Sequence, residues 1–179
     1  SFNRIISWTV IDANSESLGA EISTAVTSTI NITPINDAPV MSAGATLSYT
    51  ENEAATIIDN TITITDDDDI EIDGGTVTIS TGFTTGDILE FTTQNNINGT
   101  YDSSTGVLTI SGTASLSEYE TALQSITYYS TSEDPTITAS SRTISWTITD
   151  ANSDGVGAEI STAVTSTINI TPLSDPPVM

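Results

Sequence analysis

The chain has 179 residues and is strongly acidic: it carries 24 carboxylates against two cations, Arg4 and Arg142, for a formal net charge of −22. Nucleic acid and anionic membrane surfaces are therefore excluded as partners, because a polyanion is bound through Lys and Arg. His and Cys are absent, which excludes disulfide scaffolds and His-dependent catalytic triads, and no apolar run reaches the roughly 18 residues of a membrane span, so membrane insertion is not expected.

Hydroxyl and β-branched side chains dominate the rest of the composition. Ser and Thr account for 58 residues, and Ile and Val dominate an apolar fraction of 36%. Branched side chains favour strands because a helix restricts their χ1 angle. The length suits one domain or slightly more than one.

Period-two alternation of polar and apolar side chains predicts a succession of half-buried strands. In chain order these are 45–50, 54–58, 61–65, 75–80, 88–93, 106–111, 125–130, 142–149 and 158–171. The last would contain about 14 residues and extend roughly 45 Å at about 3.3 Å per residue. Many strands, separated by turn-forming segments about every 8 to 12 residues, predict an antiparallel β-sandwich.

One segment, 115–125, has a helical pattern instead. Ser117 and Glu120 have the spacing of a capping box, in which each side chain bonds to the backbone amide of the other residue. This pattern predicts one short helix of about two turns.

The chain also repeats itself. Residues 3–41 recur as residues 141–179 at an offset of 138 positions, and 29 of the 39 aligned positions are identical. This period is too long for a solenoid unit and matches an autonomous domain. We therefore expect residues 1–37 to be the C-terminal strands of a preceding repeat, 38–175 one complete repeat, and 176–179 the start of the next. Such an array predicts neighbouring copies of the same repeat as partners.

Carboxylates are concentrated in the first half of the complete repeat. Nine of the 24 lie between Glu51 and Asp73, and four are consecutive at 66–69. Adjacent like charges repel, so this run needs a compensating interaction. Oxygen ligands in turns, without His or Cys, select hard cations, Ca²⁺ before Mg²⁺. The alternative is that these aspartates are solvated turn residues. Segment 69–74 begins like a helix–loop–helix calcium loop, but Ser80 replaces the required Glu and the motif is rejected.

Several segments resemble the cadherin-like tandem repeats of large bacterial extracellular adhesins and surface fibres. "TPINDAPV" (33–40) is similar to an inter-domain linker, and "YTENEA" (49–54) to the Glu-bearing stretch near the start of a domain. "TDDDD" (65–69) is similar to the D-x-D pair after the linker, and 86–130 to the bacterial form of the domain. The resemblance implies an all-β, antiparallel Greek-key β-sandwich of the cadherin/immunoglobulin type, with Ca²⁺ bound at each boundary between domains.

Carried over residue by residue, the resemblance implies metal ligands at two boundaries. At the first boundary they are Asp12, Asn36, Asp37, Asp66 and Asp68, with Asp69 as a further candidate. At the second boundary they are Glu51, Glu53, Asp150 and Asp175. The second linker has Ser174 in place of the Asn, which implies fewer ions per boundary than in animal cadherins, one or two.

The function expected from these features is mechanical, not enzymatic: an extracellular spacer of a cell-surface adhesin, or the shaft of a fibre, made rigid by Ca²⁺. Residues 1–37 alone cannot close a sandwich and would leave strand edges unpaired. This motivates the hypothesis that copies of the chain donate strands to one another and form a homopolymer.

Three alternatives are considered beside the spacer. A carbohydrate-binding module would stack Trp8 and Trp146 on sugars, although period two places both in a core. A glycosidase needs two carboxylates across a cleft, and the Glu residues show no such spacing. Ice binding by the T-x-T runs is a third reading, which a solvated strand face explains equally well. Arg4 and Arg142 are each expected to pair with a local acid.

Overall fold

The computed structural model describes residues 2–153 and 155–174, and the chain forms two compact units. The first unit ends at Ile35 and the second begins at Asn36. In the described part of the chain, no helix is both long enough and apolar enough to cross a membrane.

The first unit is a β-hairpin. Strand β1 (Phe2–Trp8) pairs antiparallel along its whole length with β2 (Val26–Ile32), and a single bridge joins Ile11 to Ile22 beyond them. A two-stranded hairpin has no second layer to pack on, and in water it is marginally stable at best.

The second unit contains eleven strands and one helix among the described residues. The strands are β3 (Val40–Ser42), β4 (Thr46–Thr50), β5 (Thr56–Ile57), β6 (Thr63–Thr65), β7 (Glu71–Thr81), β8 (Asp87–Glu90), β9 (Asn98–Asp102), β10 (Val107–Ser115), β11 (Thr127–Ser130), β12 (Ser141–Asp150) and β13 (Val164–Thr171). The helix is α1 (Leu116–Gln124).

These strands form a β-sandwich, which confirms the predicted all-β fold with one short helix. Six of them make one sheet in the order β4–β13–β12–β7–β10–β9, and β5–β11–β8 make another. β3 and β6 form a separate antiparallel pair. The buried core includes Trp146 on β12 and Leu89 on β8, and the rings of Tyr49 and Tyr128 meet edge to face with centroids 5.0 Å apart. One pairing departs from the antiparallel prediction, because β4 lies parallel to β13.

The helix begins two residues earlier than the predicted capping box. Its N-cap is Ser115, whose hydroxyl accepts a hydrogen bond from the Glu118 amide while the Glu118 carboxylate accepts one from the Ser115 amide. Leu116 packs against the core, which fixes the earlier start. Glu120 accepts a hydrogen bond from the Ile64 amide at 2.7 Å instead.

The last predicted strand is shorter than expected. Strand β13 begins at Val164, and Ile160 makes only one isolated bridge, to Thr149. The Ile148 amide bonds to the Ser161 hydroxyl at 3.1 Å, so a side chain replaces part of the ladder there. The strand of about 14 residues was therefore a wrong prediction.

Candidate metal centre

Predicted ligands from three segments gather at one end of the second unit, which we call the acidic end. Its members are Asn36, Asp37, Asp66, Asp68, Asp69 and Asp150. The three segments are the start of the unit, the loop between β6 and β7, and the C-terminal end of β12. The topology produces this grouping because β7 begins where the antiparallel β12 ends, with Ile72 opposite Asp150.

Hydrogen bonds hold the start of the unit to the other two segments. Asn36 Nδ2 donates to Asp150 Oδ2 at 3.0 Å, and the Asp37 amide donates to Asp68 Oδ2 at 3.1 Å. Asp150 and Asp68 therefore accept hydrogen bonds that hold residues 36 and 37 against the sandwich.

The loop between β6 and β7 is also held by its own carboxylates. Asp66 Oδ1 accepts hydrogen bonds from the amides of Asp68 (3.1 Å) and Asp69 (2.9 Å). Asp69 Oδ1 accepts hydrogen bonds from the Ser153 amide at 2.7 Å and from the Ser153 hydroxyl. The aspartate run is thus partly explained as a set of turn acceptors, which is the alternative that the sequence left open.

Two oxygens at the acidic end remain without a donor. Asn36 is 7% exposed, and its Oδ1 has no hydrogen-bond partner among the described residues. The same holds for the buried Oδ2 of Asp66. Buried polar atoms are almost always satisfied, and an oxygen that lacks a donor calls for water or a cation.

Electrostatic repulsion also remains at this end. Asp68 is exposed, but local loss of hydration, the neighbouring carboxylate of Asp66 and the charge on Asp37 together raise its pKa above the ordinary value of 3.8. A bound cation would act in the opposite direction, since a nearby positive charge favours the ionised form.

The acidic end has the right donor chemistry for a hard cation but an incomplete set of ligands. An open pocket of about 310 Å³ is lined by Asp37, Ala38, Val40, Thr65, Asp66 and Asp67. No three acid side chains in residues 2–153 and 155–174 lie close enough together to coordinate one ion. The residues therefore fit Ca²⁺ only if water or a further segment of chain contributes ligands, as happens in many calcium sites.

The other end of the second unit holds Glu51 and Glu53. Glu51 is buried; its Oε2 accepts a hydrogen bond from the Leu173 amide at 2.7 Å, and its Oε1 has no partner among the described residues. Glu53 caps its own turn through the Thr50 amide at 2.9 Å. Asp175, the predicted partner of these two residues, lies outside the described residues.

Asp150 is not where the resemblance placed it. The predicted site groups Asp150 with Glu51, but Asp150 ends β12 at the acidic end, and Glu51 follows β4 beside Thr171, near the opposite end of β12. The ten residues of β12 correspond to roughly 33 Å at about 3.3 Å per residue. The two residues therefore cannot share an ion.

Asp12 has the same local role in the first unit that Asp150 has in the second. Asp12 accepts hydrogen bonds from the amides of Asn14 (2.9 Å) and Glu21 (3.3 Å) in the hairpin loop. Asp150 accepts the equivalent bonds from the amides of Asn152 (3.1 Å) and Glu159 (2.9 Å). Both carboxylates close a hairpin loop, which is a structural role that the sequence reading missed.

Arg142 pairs with an acid, as expected, but the acid is not a local one: it is Asp87, 55 positions away along the chain. Arg142 and Asp87 are both buried, and Arg142 Nε donates to Asp87 Oδ2 at 2.6 Å. Asp87 also accepts a hydrogen bond from the Tyr128 hydroxyl at 2.7 Å, which together with burial raises the pKa of Tyr128. The signal was present: Arg142 alternates with Ile144 and Trp146 on the inward face of β12, so it required a buried acid.

Asp59 is a second buried acid that the sequence analysis did not single out. Burial alone would raise its pKa, but hydrogen bonds from the amides of Gly44 and Ala45 and from the hydroxyls of Ser166 and Thr61 outweigh that effect and lower it. Asp59 therefore connects the loop after β3 with β13, as a structural anchor away from the acidic end.

The two tryptophans differ. Trp146 is fully buried, as predicted, and its indole NH donates to the Ser166 hydroxyl at 3.0 Å. Trp8 makes the equivalent bond to Ser28 at 3.2 Å but is 56% exposed. The prediction of a core position is therefore confirmed for Trp146 and wrong for Trp8 in this structure.

Comparison with known proteins gives one curated relative. No model of a known family matches the chain. The chain is 34% identical over 108 residues to halomucin from Haloquadratum walsbyi, and the match covers 57% of this chain and 1% of halomucin. The chain thus spans about a hundredth of the length of that relative.

Among solved structures, a chain from a type I cohesin–dockerin complex of Clostridium thermocellum is similar to this one. The TM-score is 0.40 at 6% sequence identity, over 79% of this chain and the whole of that chain. Similarity at this level assigns neither a family nor a function.

Proposed function

We propose that this chain is a non-enzymatic repeat module of an extracellular surface protein, in which a β-sandwich serves as a spacer and Ca²⁺ stiffens its ends. The similarity to halomucin supports a surface or secreted location. The 138-residue repeat supports a tandem array, because the hairpin of the first unit reappears in the second with the same register.

The observation that carries the calcium part of the proposal is the pair of oxygens without donors at the acidic end. Asn36 Oδ1 and Asp66 Oδ2 are buried, lack a partner among the described residues, and belong to segments joined by hydrogen bonds. A divalent cation would satisfy both atoms and offset the repulsion of Asp68 by Asp66 and Asp37, which adds to the effect of desolvation in raising the pKa of Asp68.

The sandwich is also suited to bear tension along the chain. Its described residues begin at Asn36, at the acidic end, and reach Leu173 beside Glu51, near the opposite end. Force applied at these two places pulls β4 and β13 in opposite directions along their parallel ladder. All five pairs of that ladder then bear load at once, whereas pulling a hairpin apart breaks its pairs one after another.

The expected calcium affinity is weak. Extracellular modules bind Ca²⁺ with Kd of about 10⁻⁴ to 10⁻³ M, and a site with an incomplete ligand set belongs at the weak end. If free Ca²⁺ exceeds Kd roughly 10- to 100-fold, binding adds about 1.4–2.7 kcal/mol to stability. This gain is large enough to make the stiffness of the module depend on the medium.

Thermal unfolding of the 179-residue chain, in chelator and in about 10 mM CaCl₂, tests the proposal. With Kd near 10⁻³ M, about 10 mM Ca²⁺ is roughly a tenfold excess, so linkage of about 1.4 kcal/mol corresponds to a rise in Tm of roughly 3–6 °C. Asp66→Asn should remove most of this rise: it removes one negative charge, and because Oδ1 accepts hydrogen bonds from the amides of Asp68 and Asp69, the amide NH₂ takes the Oδ2 position, where it cannot bind a cation. Glu90→Gln is the matched control: it removes one exposed carboxylate on β8, outside the acidic end, and should leave the rise intact. An equal Tm in chelator and calcium would refute the calcium proposal.

A further inference from the structure

The first unit exposes an apolar face. Eleven of the 18 large hydrophobic side chains that are exposed in the described structure belong to residues 2–35. One face of the hairpin includes seven residues, Arg4, Ile6, Trp8, Val10, Ser28, Ile30 and Ile32, with Val26 opposite Trp8 at its edge. Exposed apolar surface this concentrated marks an interaction site.

The second unit shows what covers such a face. The repeat equivalents of these seven residues are Arg142, Ile144, Trp146, Ile148, Ser166, Ile168 and Ile170. All seven are at most 5% exposed, because β12 and β13 lie between β7 and β4 and face the core. In the first unit, by contrast, Trp8 is 56% exposed and Val10 is 71% exposed.

The two hairpins have the same internal structure. Arg4 lies opposite Ile30, as Arg142 lies opposite Ile168. The indole bond of Trp8 to the Ser28 hydroxyl, and the bonds that close the loop on Asp12, also recur at the equivalent positions. The first hairpin therefore has the structure needed to pair in a sheet between strands equivalent to β7 and β4, as β12 and β13 do.

The charge of Arg4 restricts which partner can cover the apolar face of the first hairpin. The two cations of the chain stand at equivalent positions, and Arg142 is buried against Asp87 with contacts of 2.6 and 3.2 Å. Arg4 is exposed, and no ion pair to it is found in the described part of the chain. A face-to-face pair of first hairpins would bury Arg4 without an acid, which is costly.

Exchange of hairpins between copies of this chain does not cover the exposed apolar face either. Each copy brings two hairpins but only one sandwich body, defined here as residues 36–140. Any exchange leaves one hairpin per copy with its apolar face exposed. The partner must therefore be a body that lacks its own last two strands.

We propose that the first hairpin docks into an upstream sandwich body of the same kind on the same polypeptide, and that Arg4 forms a buried ion pair with the Asp of that body equivalent to Asp87. β1 then pairs with the equivalent of β7, and β2 lies parallel to the equivalent of β4. The inference rests on the tandem-repeat part of the proposed function and is independent of calcium.

The test extends the full 179-residue chain at its N-terminus with a second copy of residues 39–138, which places the added body in the register of the repeat. All measurements are made in chelator, so that failure of the calcium proposal leaves the result unaffected. Acrylamide quenching of Trp emission and amide hydrogen exchange are compared between the 179-residue and the extended chain.

In the 179-residue chain, one of the two Trp residues should be readily quenched, and Trp8→Phe should remove that component. In the extended chain both should be protected, and the amides of β1 and β2 should exchange as slowly as those of β12 and β13. Arg4→Met should abolish this protection in the extended chain only. Slow exchange of the amides of β12 and β13 serves as the internal control for folding in every variant.

The proposal is overturned if Trp8 stays quenchable and the amides of β1 and β2 stay exchange-labile in the extended chain. It is equally overturned if the 179-residue chain itself dimerises with Trp8 protected, because a second copy of the chain then covers the apolar face of the first hairpin. If Trp8 and the amides of the first hairpin stay protected in the Arg4→Met variant, the proposed ion pair of Arg4 is refuted.

Discussion

At the residue scale, the buried Arg142 of the second unit has specific partners. Arg142 reaches Asp87 and also donates to the carbonyls of Ala139 (2.7 Å) and Pro135 (2.6 Å). The guanidinium thus ties the loop before β12 to the start of β8. This ion pair joins β12 of the six-stranded sheet to β8 of the three-stranded sheet.

Arg142→Met should lower the free energy of unfolding by about 3–5 kcal/mol, because it leaves Asp87 buried without its counter-ion. Urea denaturation monitored by circular dichroism measures the loss. Arg4→Met is the matched control, since Arg4 occupies the equivalent position but is exposed; it should change stability by less than about 0.5 kcal/mol. Equal effects of the two substitutions would contradict this account.

Asp59 predicts a specific pH dependence. Its pKa is lowered in the folded state, so its stabilisation is fully present above the unfolded value of about 3.8 and is lost as the pH falls below it. Asp59→Asn should cost about 1.5–3 kcal/mol at pH 7, where the charged acceptor is lost.

Urea denaturation between pH 7 and pH 2 tests this sign. The difference between wild type and Asp59→Asn should be constant from pH 7 to about pH 5 and then shrink toward acid. Glu90→Gln serves as a reference for an exposed carboxylate. If the difference in free energy of unfolding between wild type and Asp59→Asn grew on acidification, the pKa of Asp59 would be raised and not lowered in the folded state.

At the element scale, strands with clear period-two alternation could be predicted from sequence, and strands defined by tertiary contacts could not. Strand β12 was predicted at 142–149 and lies at Ser141–Asp150. Strand β9 (Asn98–Asp102) was not among the predicted strands, because it is an edge strand whose side chains are at most half buried. Strand β3 has three residues and exists only through its pairing with β6.

The same distinction applies to the candidate site. Asn36, Asp37, Asp66 and Asp68 were grouped through the resemblance to cadherin-like repeats, and the structure brings all four to the acidic end. Asp150 was assigned to the wrong end, because its position depends on the direction of β12 in the sheet, which no local pattern encodes.

Gly75 shows why β7 can lie at the centre of the large sheet. It pairs with Ile110 on β10 and Ile148 on β12, and a Cβ there would lie 2.3 Å from the Thr147 carbonyl oxygen. Gly75→Ala should therefore destabilise the unit by about 1–3 kcal/mol through forced backbone shifts.

Gly44→Ala is the matched control for Gly75→Ala, since nothing lies within 4 Å of the added methyl group. It should be neutral or slightly stabilising, by up to about 1 kcal/mol, because it restricts the unfolded chain. Thermal unfolding of the two variants side by side measures the contrast. Similar losses of stability in the two variants would show that the close approach of the neighbouring strand at Gly75 does not cause the destabilisation.

At the scale of the whole molecule, the chain combines one sandwich with a second copy of its last hairpin. At both ends of the sandwich there are buried oxygens that receive no hydrogen bond from residues 2–153 and 155–174: Asn36 Oδ1 and Asp66 Oδ2 at one end and Glu51 Oε1 at the other. A repeat with a cation site at each end would convert a flexible string of domains into a stiff one when calcium is present. Its high negative charge is then partly neutralised at the places where chain segments meet.

A crystal structure of the chain grown in about 10 mM CaCl₂ tests this claim most directly. The account predicts an electron-density peak at the acidic end, within about 2.3–2.6 Å of both Asn36 Oδ1 and Asp66 Oδ2, with waters completing the shell. Density that shows these two oxygens bonded only to water, with no ion near either of them, would contradict it.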